Sequence, residues 1–275
     1  MDWKVFTDTL LLLARNLPLG RRTAVRAVMR LIPERAKQNV VAAVDGLKLS
    51  LDLREALDMG YFLGIWDRDE IEAIIKNIPK DGCFVDIGAN QGFYSLMIAK
   101  SVPNSRIYAF EPDPYSALKF RKNISLNNLD NIVLVEKGIS DSSRKLKLMI
   151  NTAGNRGGSS VEISQTQWTG ASNDVVVEIE CLALSEAIRS FGIKEIDTMK
   201  IDIEGHEHSV LSKFFSDTPR EFFPRLIVAE SFEDAPYAEE KSVVRLLNEN
   251  GFVKSFSKSN NHVFVSGITP SKFSH

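Results

Sequence analysis

The residues best suited to chemistry fall into three short runs. The first, Asp86-Ile87-Gly88-Ala89-Asn90-Gln91-Gly92, lies between an apolar stretch that reads as a buried strand and a stretch that reads as a helix. Gly88 lets the backbone turn tightly at the strand end, and Gly92 lets the helix approach a ligand. The second, Tyr108-Ala109-Phe110-Glu111-Pro112, sets a carboxylate at the next strand tip, about twenty residues on, where an acid accepts both hydroxyls of an adenosine ribose. The third, Lys200-Ile201-Asp202-Ile203-Glu204-Gly205-His206-Glu207-His208, gathers three acids and two histidines within seven residues.

A glycine-rich turn of this kind serves many nucleotides, so the ligand must be chosen by the other residues. A nicotinamide dinucleotide needs Gly-x-Gly-x-x-Gly to bring backbone against a pyrophosphate, but Asn90 stands at the second glycine and the loop holds no Arg or Lys. S-adenosylmethionine has no phosphate and carries a cationic sulfonium and an amino-acid end, which a carboxylate at Asp86 attracts. The methyl donor is therefore the expected cofactor, and an NAD(P)-dependent oxidoreductase is the alternative.

Methyl transfer to a hydroxyl requires alignment with the sulfonium and a group that takes the proton, or a metal that acidifies the hydroxyl. Period-two alternation along a strand puts Lys200, Asp202 and Glu204 on one face, at a strand end where such sheets bind ligands. Asp202 and Glu204 are the expected catalytic residues, with Glu230 at a neighbouring strand tip as a further carboxylate and His262 as a substrate contact. The competing reading makes Asp202 or Glu204 a helix cap and Glu207 a first-turn acid. Glu204, Glu207 and His208, joined by Glu230 or His262, would form an oxygen and nitrogen metal set. No single metal is implied.

Strands expected at Cys83–Ile87, Arg106–Glu111, 132–135, Ile196–Ile203 and 225–230 alternate with helices at 92–100, 114–127, 184–191, 206–215 and 238–250. That alternation predicts right-handed crossovers and a mostly parallel sheet covered on both faces. Two further strands at 145–150 and 174–181 flank a Gly/Ser/Asn-rich loop, 151–173, long enough to close over a substrate. The final strands, Phe252–Phe256 and His262–Ser266, form an antiparallel pair. Ahead of the sheet stand a hairpin over 40–53, turning at Asp45-Gly46, and a helix from Arg68 to about Lys76.

Residues 1–40 form a basic helical extension with apolar periodicity over 3–15 and 21–31, and residues 41–275 form the Rossmann-like domain. The extension carries eight basic against three acidic residues, a net of +5, which leaves −7 on the rest of a chain whose total is −2. That balance gives no reason to expect nucleic acid. The extension is expected to pack on the body or on a second subunit; the other reading is an amphipathic helix on anionic lipid. Two cysteines make no disulfide scaffold and the leucine run at 10–13 is too short to span a bilayer, so the expected address is the cytoplasm. A non-catalytic scaffold that docks through residues 1–40 is the third functional reading.

From Val44 to Ser266 the chain resembles the FkbM-type methyltransferases, within the class I group that methylates hydroxyls of sugars, polyketides and related metabolites. The resemblance rests on Val85 through Ser95, on Phe110-Glu111-Pro112, on Lys200 through Glu207 and on Val228-Ala229-Glu230. It implies a Rossmann-like α/β fold, a small-molecule or glycan substrate, and O-methylation of a hydroxyl. It also implies that Asp86, Gly88 and Asn90 hold the methionine end of the cofactor, Glu111 the ribose, and Asp141 the adenine amino group.

Overall fold

A computed structural model describes residues 33–150, 175–231, 242–258 and 260–267, with Thr23, Ala27, Met29 and Arg30 ahead of them. The expectations for residues 1–22 and for the loop 151–173 fall outside the described residues.

A seven-stranded sheet is the centre of the molecule. Strands β3 (Cys83–Ile87), β4 (Arg106–Phe110), β5 (Ile132–Val135), β9 (Thr198–Ile201) and β10 (Leu226–Glu230) run parallel. Strand β12 (Asn261–Ser266) pairs antiparallel with β10, and β11 (Phe252–Lys258) pairs antiparallel with β12. The strand order β11-β12-β10-β9-β3-β4-β5 reverses direction between β3 and β9. This is a Rossmann-like class I methyltransferase fold, and the reversal marks where a crevice opens above the carboxyl ends of the strands.

Alternation along the strands divides the core in two. Phe84, Leu226 and Val228 face one side and pack with Ile71, Ile74, Leu96 and Phe120. Those partners come from α2 (Arg68–Asn77), α3 (Phe93–Ser101) and α4 (Pro114–Asn127). Val85, Met199 and Ile227 face the other side and meet Leu184, Val210 and Leu247. These belong to α5 (Leu184–Ser190), α6 (Glu207–Asp217) and α7 (Val243–Glu249). Helix α4 starts where Pro114 presets φ, behind Asp113, whose carboxylate accepts Tyr115 N and Ser116 N.

Strands β1 (Val40–Val44) and β2 (Leu47–Leu51) form the expected hairpin, with Asp45 and Gly46 both at positive φ in its turn. It is tied to α4 by Asn123 Oδ1, which accepts Ser50 N at 2.8 Å. A smaller sheet of order β6-β8-β7 lies beside the main one, built from β6 (Gly138–Ser140), β7 (Arg144–Ile150) and β8 (Val175–Ala183). Among the described residues β6, the short helix α1 (Ala56–Phe62) and the 3-10 turns at Glu34–Ala36 and Arg220–Phe222 were not expected. Before residue 33, Met29 is half-buried against the hydrophobic core. Among the described residues no helix is long and apolar enough to cross a membrane.

Candidate active site

The loop after β3 is pinned to its neighbours from both sides. Gly88 N and Ala89 N both donate to Phe110 O at the end of β4, each at 3.0 Å, and Asp202 N donates to Ile87 O at 3.0 Å. Gly88 sits at φ +77°, and a Cβ there would fall 1.9 Å from the Asp202 carbonyl oxygen. Only glycine lets the tips of β3 and β9 come this close. Gly92 differs from expectation. Also at positive φ, it opens α3, but a Cβ on it would strike the Phe120 ring at 2.0 Å, and it does not line the cavity. Its freedom serves helix packing rather than a ligand.

A cavity of about 260 Å³ opens above this loop and reaches the ends of β4, β9 and β10. Asp86, Gly88, Asn90, Glu111, Asp202, Glu204 and Glu230, all singled out from the sequence, line it together. Asp86 is fully buried; Ser95 Oγ donates to its Oδ2 at 2.6 Å while Oδ1 has no partner. Burial raises its pKa, with Lys200 and Ser95 offsetting only part of that. Glu111 accepts Asn90 N and Asp113 N, both at 2.7 Å, yet burial pushes its pKa up to about 7.

Asp141 does not line the cavity. Its carboxylate accepts Ser140 Oγ and Ser142 Oγ and pairs with Arg144 at 3.0 Å, and burial is outweighed so that its pKa falls. Gly138 and Ile139, just before it on β6, line the cavity instead.

At the other end, β9 is shorter than expected. It stops at Ile201, and residues 202–204 turn, with Glu204 at φ +55°. Period-two facing therefore does not carry Glu204. What fixes the turn is Glu207, whose two carboxylate oxygens accept Ile203 N at 2.7 Å and Gly205 N at 2.9 Å. Glu207 is a capping acid, fully buried, with its pKa raised to about 7 by that burial. It leaves the expected metal set. So does His262, buried on β12 against Ser257 Oγ at 2.7 Å and away from the cavity. His208, on α6, does not line it either.

The acids that do meet are Asp202, Glu204 and Glu230. Lys200 Nζ donates to Asp202 Oδ2 at 2.8 Å and lies 4.9 Å from the centre of the Tyr94 ring. Burial works against the Lys200 charge, but Asp202 and Asp86 outweigh it and raise its pKa. Burial first, and then Asp202, raise Glu204 to about 8 and Glu230 to about 10.

The wall facing these acids was not foreseen. Leu57 and Tyr61 of α1 and Asp67 before α2 line the cavity with Phe93 and Tyr94. Tyr61 stacks on Phe93 at 4.2 Å, and Trp66 meets Phe93 edge-on at 5.2 Å. Asp58, 1% exposed, anchors α1 by accepting Gln91 Nε2 from the cofactor loop and Lys119 Nζ from α4. The aromatic spacing of Tyr61, Trp66 and Phe93 was the only sequence signal for this wall.

Residues 86–254, more than half of the chain, match the Methyltransferase FkbM domain. The chain belongs to the FkbM methyltransferase family. Among its relatives, methyltransferase sdnD of Sordaria araneosa is 30% identical over 65% of this chain and 76% of that protein. The 31-O-demethyl-FK506 methyltransferase FkbM of Streptomyces tacrolimicus is 28% identical over 68% and 78%. The 2-O-methyltransferase NoeI of Sinorhizobium fredii is 26% identical over 48% and 57%. As an FkbM methyltransferase the protein takes S-adenosylmethionine as its methyl donor, and the dinucleotide reading falls.

The site fits that donor. The orphaned Asp86 Oδ1 suits an ammonium group, and the Glu111 carboxylate suits a pair of ribose hydroxyls. An ionised carboxylate accepts hydroxyls more strongly than a protonated one, so on this assignment S-adenosylhomocysteine affinity is expected to fall as pH drops from 8 to 6. Calorimetry on Glu111→Gln should show about tenfold weaker binding and a flatter pH profile. Stability of the free protein runs the other way. A carboxyl raised from 4.5 to about 7 holds a proton that the unfolded chain releases, so its stabilisation is full below 4.5 and lost as pH rises through 7. The melting shift caused by S-adenosylhomocysteine should therefore grow between pH 6 and 8; a constant shift would remove Glu111 from the ribose.

Proposed function

We propose that this methyltransferase O-methylates a hydroxyl on a sugar, glycolipid or related metabolite. The observation that carries the reading is that Asp202, Glu204 and Glu230 meet in the cavity that also contains the cofactor loop. Bound at that loop, S-adenosylmethionine supplies a methyl group whose bond to sulfur breaks as the bond to the acceptor oxygen forms. The acceptor's proton must then leave. In this reading Asp202, paired with Lys200, takes that proton, and Glu204 and Glu230 contact neighbouring hydroxyls from the same side of the cavity. The aromatic residues Tyr61 and Phe93 line the same cavity as the carboxyl groups, a combination of apolar surface and polar partners that suits a sugar ring. Two relatives named for O-methylation, the 31-O-demethyl-FK506 and 2-O-methyltransferases, support an oxygen acceptor.

The test is release of S-adenosylhomocysteine across a panel of neutral sugars, glycolipids, amines and carboxylic acids, with the product's new methyl located by NMR. A methyl on oxygen of a neutral polyol is the expected result. Methylation at nitrogen or carbon, or no turnover with any acceptor despite tight cofactor binding, would overturn the reading, the latter in favour of a scaffold.

For residues 1–40 the half-buried Met29 favours packing on the body or on a second subunit, in a cytoplasmic protein. Deleting them is expected to lower the melting temperature or change the oligomer. Salt-sensitive pelleting of the full-length protein with anionic liposomes would instead favour a peripheral membrane role.

A further inference from the structure

The carboxylates facing the acceptor are arranged for more than proton transfer. One oxygen each from Asp202, Glu204 and Glu230 lies within 4.8 Å of the others. A hard cation with oxygen ligands at about 2.1 to 2.4 Å spans roughly 4 to 5 Å between opposite ligands, so the spacing matches one ion. Two adjacent strands, β9 and β10, deliver the three acids to that point, and no Cys or His belongs to the set. Oxygen-only donors favour Mg²⁺, Mn²⁺ or Ca²⁺ over softer metals.

A second, independent observation comes from α3. Tyr94 is 7% exposed and lines the same cavity, burial raises its pKa first, with Asp67, Glu70 and then Asp202 adding to that, and its phenol oxygen has no hydrogen-bond partner. Buried hydroxyls are rarely left so. Glu230 Oε2 is likewise cut off from solvent with no partner. Mg²⁺ keeps several waters when carboxylates bind it, and such waters supply partners for the Tyr94 hydroxyl.

We propose that Asp202, Glu204 and Glu230 bind one divalent cation, Mg²⁺ or Mn²⁺, on which the acceptor hydroxyl docks. The inference rests on the proposed O-methylation and names how these acids serve it. Lys200 donates to Asp202 Oδ2, and the Asp202 carboxylate still reaches the other two acids within the ion's span. A coordinated hydroxyl is more acidic; its proton passes to a triad oxygen not bound to the ion and then to water, while the oxygen takes the methyl group.

The experiment titrates MnCl₂ alone into the full-length protein, followed by electron paramagnetic resonance. One saturable site per chain is expected, weakened roughly tenfold or more in Asp202→Asn and Glu230→Gln. Melting curves and S-adenosylhomocysteine affinity establish that the variants fold. Treatment of the wild-type protein with EDTA should abolish turnover and leave cofactor affinity unchanged, with Mg²⁺ restoring the rate. Absence of saturable Mn²⁺ binding, or equal binding by the variants, overturns the proposal. Full turnover in EDTA overturns it too and leaves O-methylation standing, whereas a Mn²⁺ site in a protein that methylates only nitrogen keeps the ion and removes the hydroxyl acceptor.

Discussion

Asp202→Asn is expected to lower turnover about a hundredfold or more, the scale set by loss of a general base, while S-adenosylhomocysteine still binds nearly normally. The geometry separates the two effects. Asp86, the residue before the end of β3, and Glu111, just after β4, are the acids assigned to the cofactor, whereas Asp202 follows β9 on the other side of the sheet's reversal. The substitution has a second consequence, because Lys200 is 5% exposed and its ammonium is left beside an amide. Losing one partner of a buried pair destabilises strongly, though Asp202 is about a third exposed and Asp86 still faces the lysine, which reduces the cost. Adding Lys200→Met to Asp202→Asn should therefore recover melting temperature but not turnover. If Asp202→Asn and Glu204→Gln both melt early yet turn over normally per folded molecule, these acids only shape the turn before α6, and the catalytic role passes to Glu230.

Much of this arrangement was legible in the residues. Strand β3 and helix α4 fall at the expected positions, because each has unambiguous punctuation: an apolar run ending in a glycine turn, and Asp113-Pro114 ahead of a helical stretch. The convergence of Asp86, Glu111 and Asp202 follows from parallel topology, which sends the ends of successive strands to one edge. What could not be read was set by tertiary contact. Helix α1 is seven residues long, carries Gly60 and has no capping side chain, and it holds its place through Asp58 and the stack of Tyr61 on Phe93. Gly92 gave the same sequence signal as Gly88, yet Phe120 claims its space, and a ring 28 residues away along the chain leaves no trace in a loop motif. Asp141 lies outside the cavity and pairs with Arg144, three residues on, a placement that its Ser-Asp-Ser context does not reveal. Glu204 reached the cavity by a route that strand periodicity does not describe, a left-handed turn closed by Glu207.

Gly88→Ala should be the most damaging small substitution in the domain, and the reason is separable from ordinary backbone strain. At φ +77° an alanine pays about 1–2 kcal/mol for the left-handed conformation. Its Cβ also falls 1.9 Å from the Asp202 carbonyl oxygen, and that neighbour is backbone, held by the hydrogen bond from Asp202 N to Ile87 O. Neither strand tip can yield without moving the other, so a further cost of roughly 1–3 kcal/mol is expected from the forced shift. Gly192 supplies the control: it has φ +62° and nothing within 4 Å of its Cβ position, so Gly192→Ala carries only the conformational cost. Thermal melting of both variants should place Gly88→Ala well below Gly192→Ala. The functional effect should be larger still, because the shift separates the cofactor loop after β3 from the acid after β9, and a displacement of about 1 Å between reacting groups costs on the order of a hundredfold in rate. S-adenosylhomocysteine affinity should fall in Gly88→Ala and stay normal in Gly192→Ala. Equal melting temperatures for the two variants, with normal turnover in both, would show that the tips of β3 and β9 are not locked together.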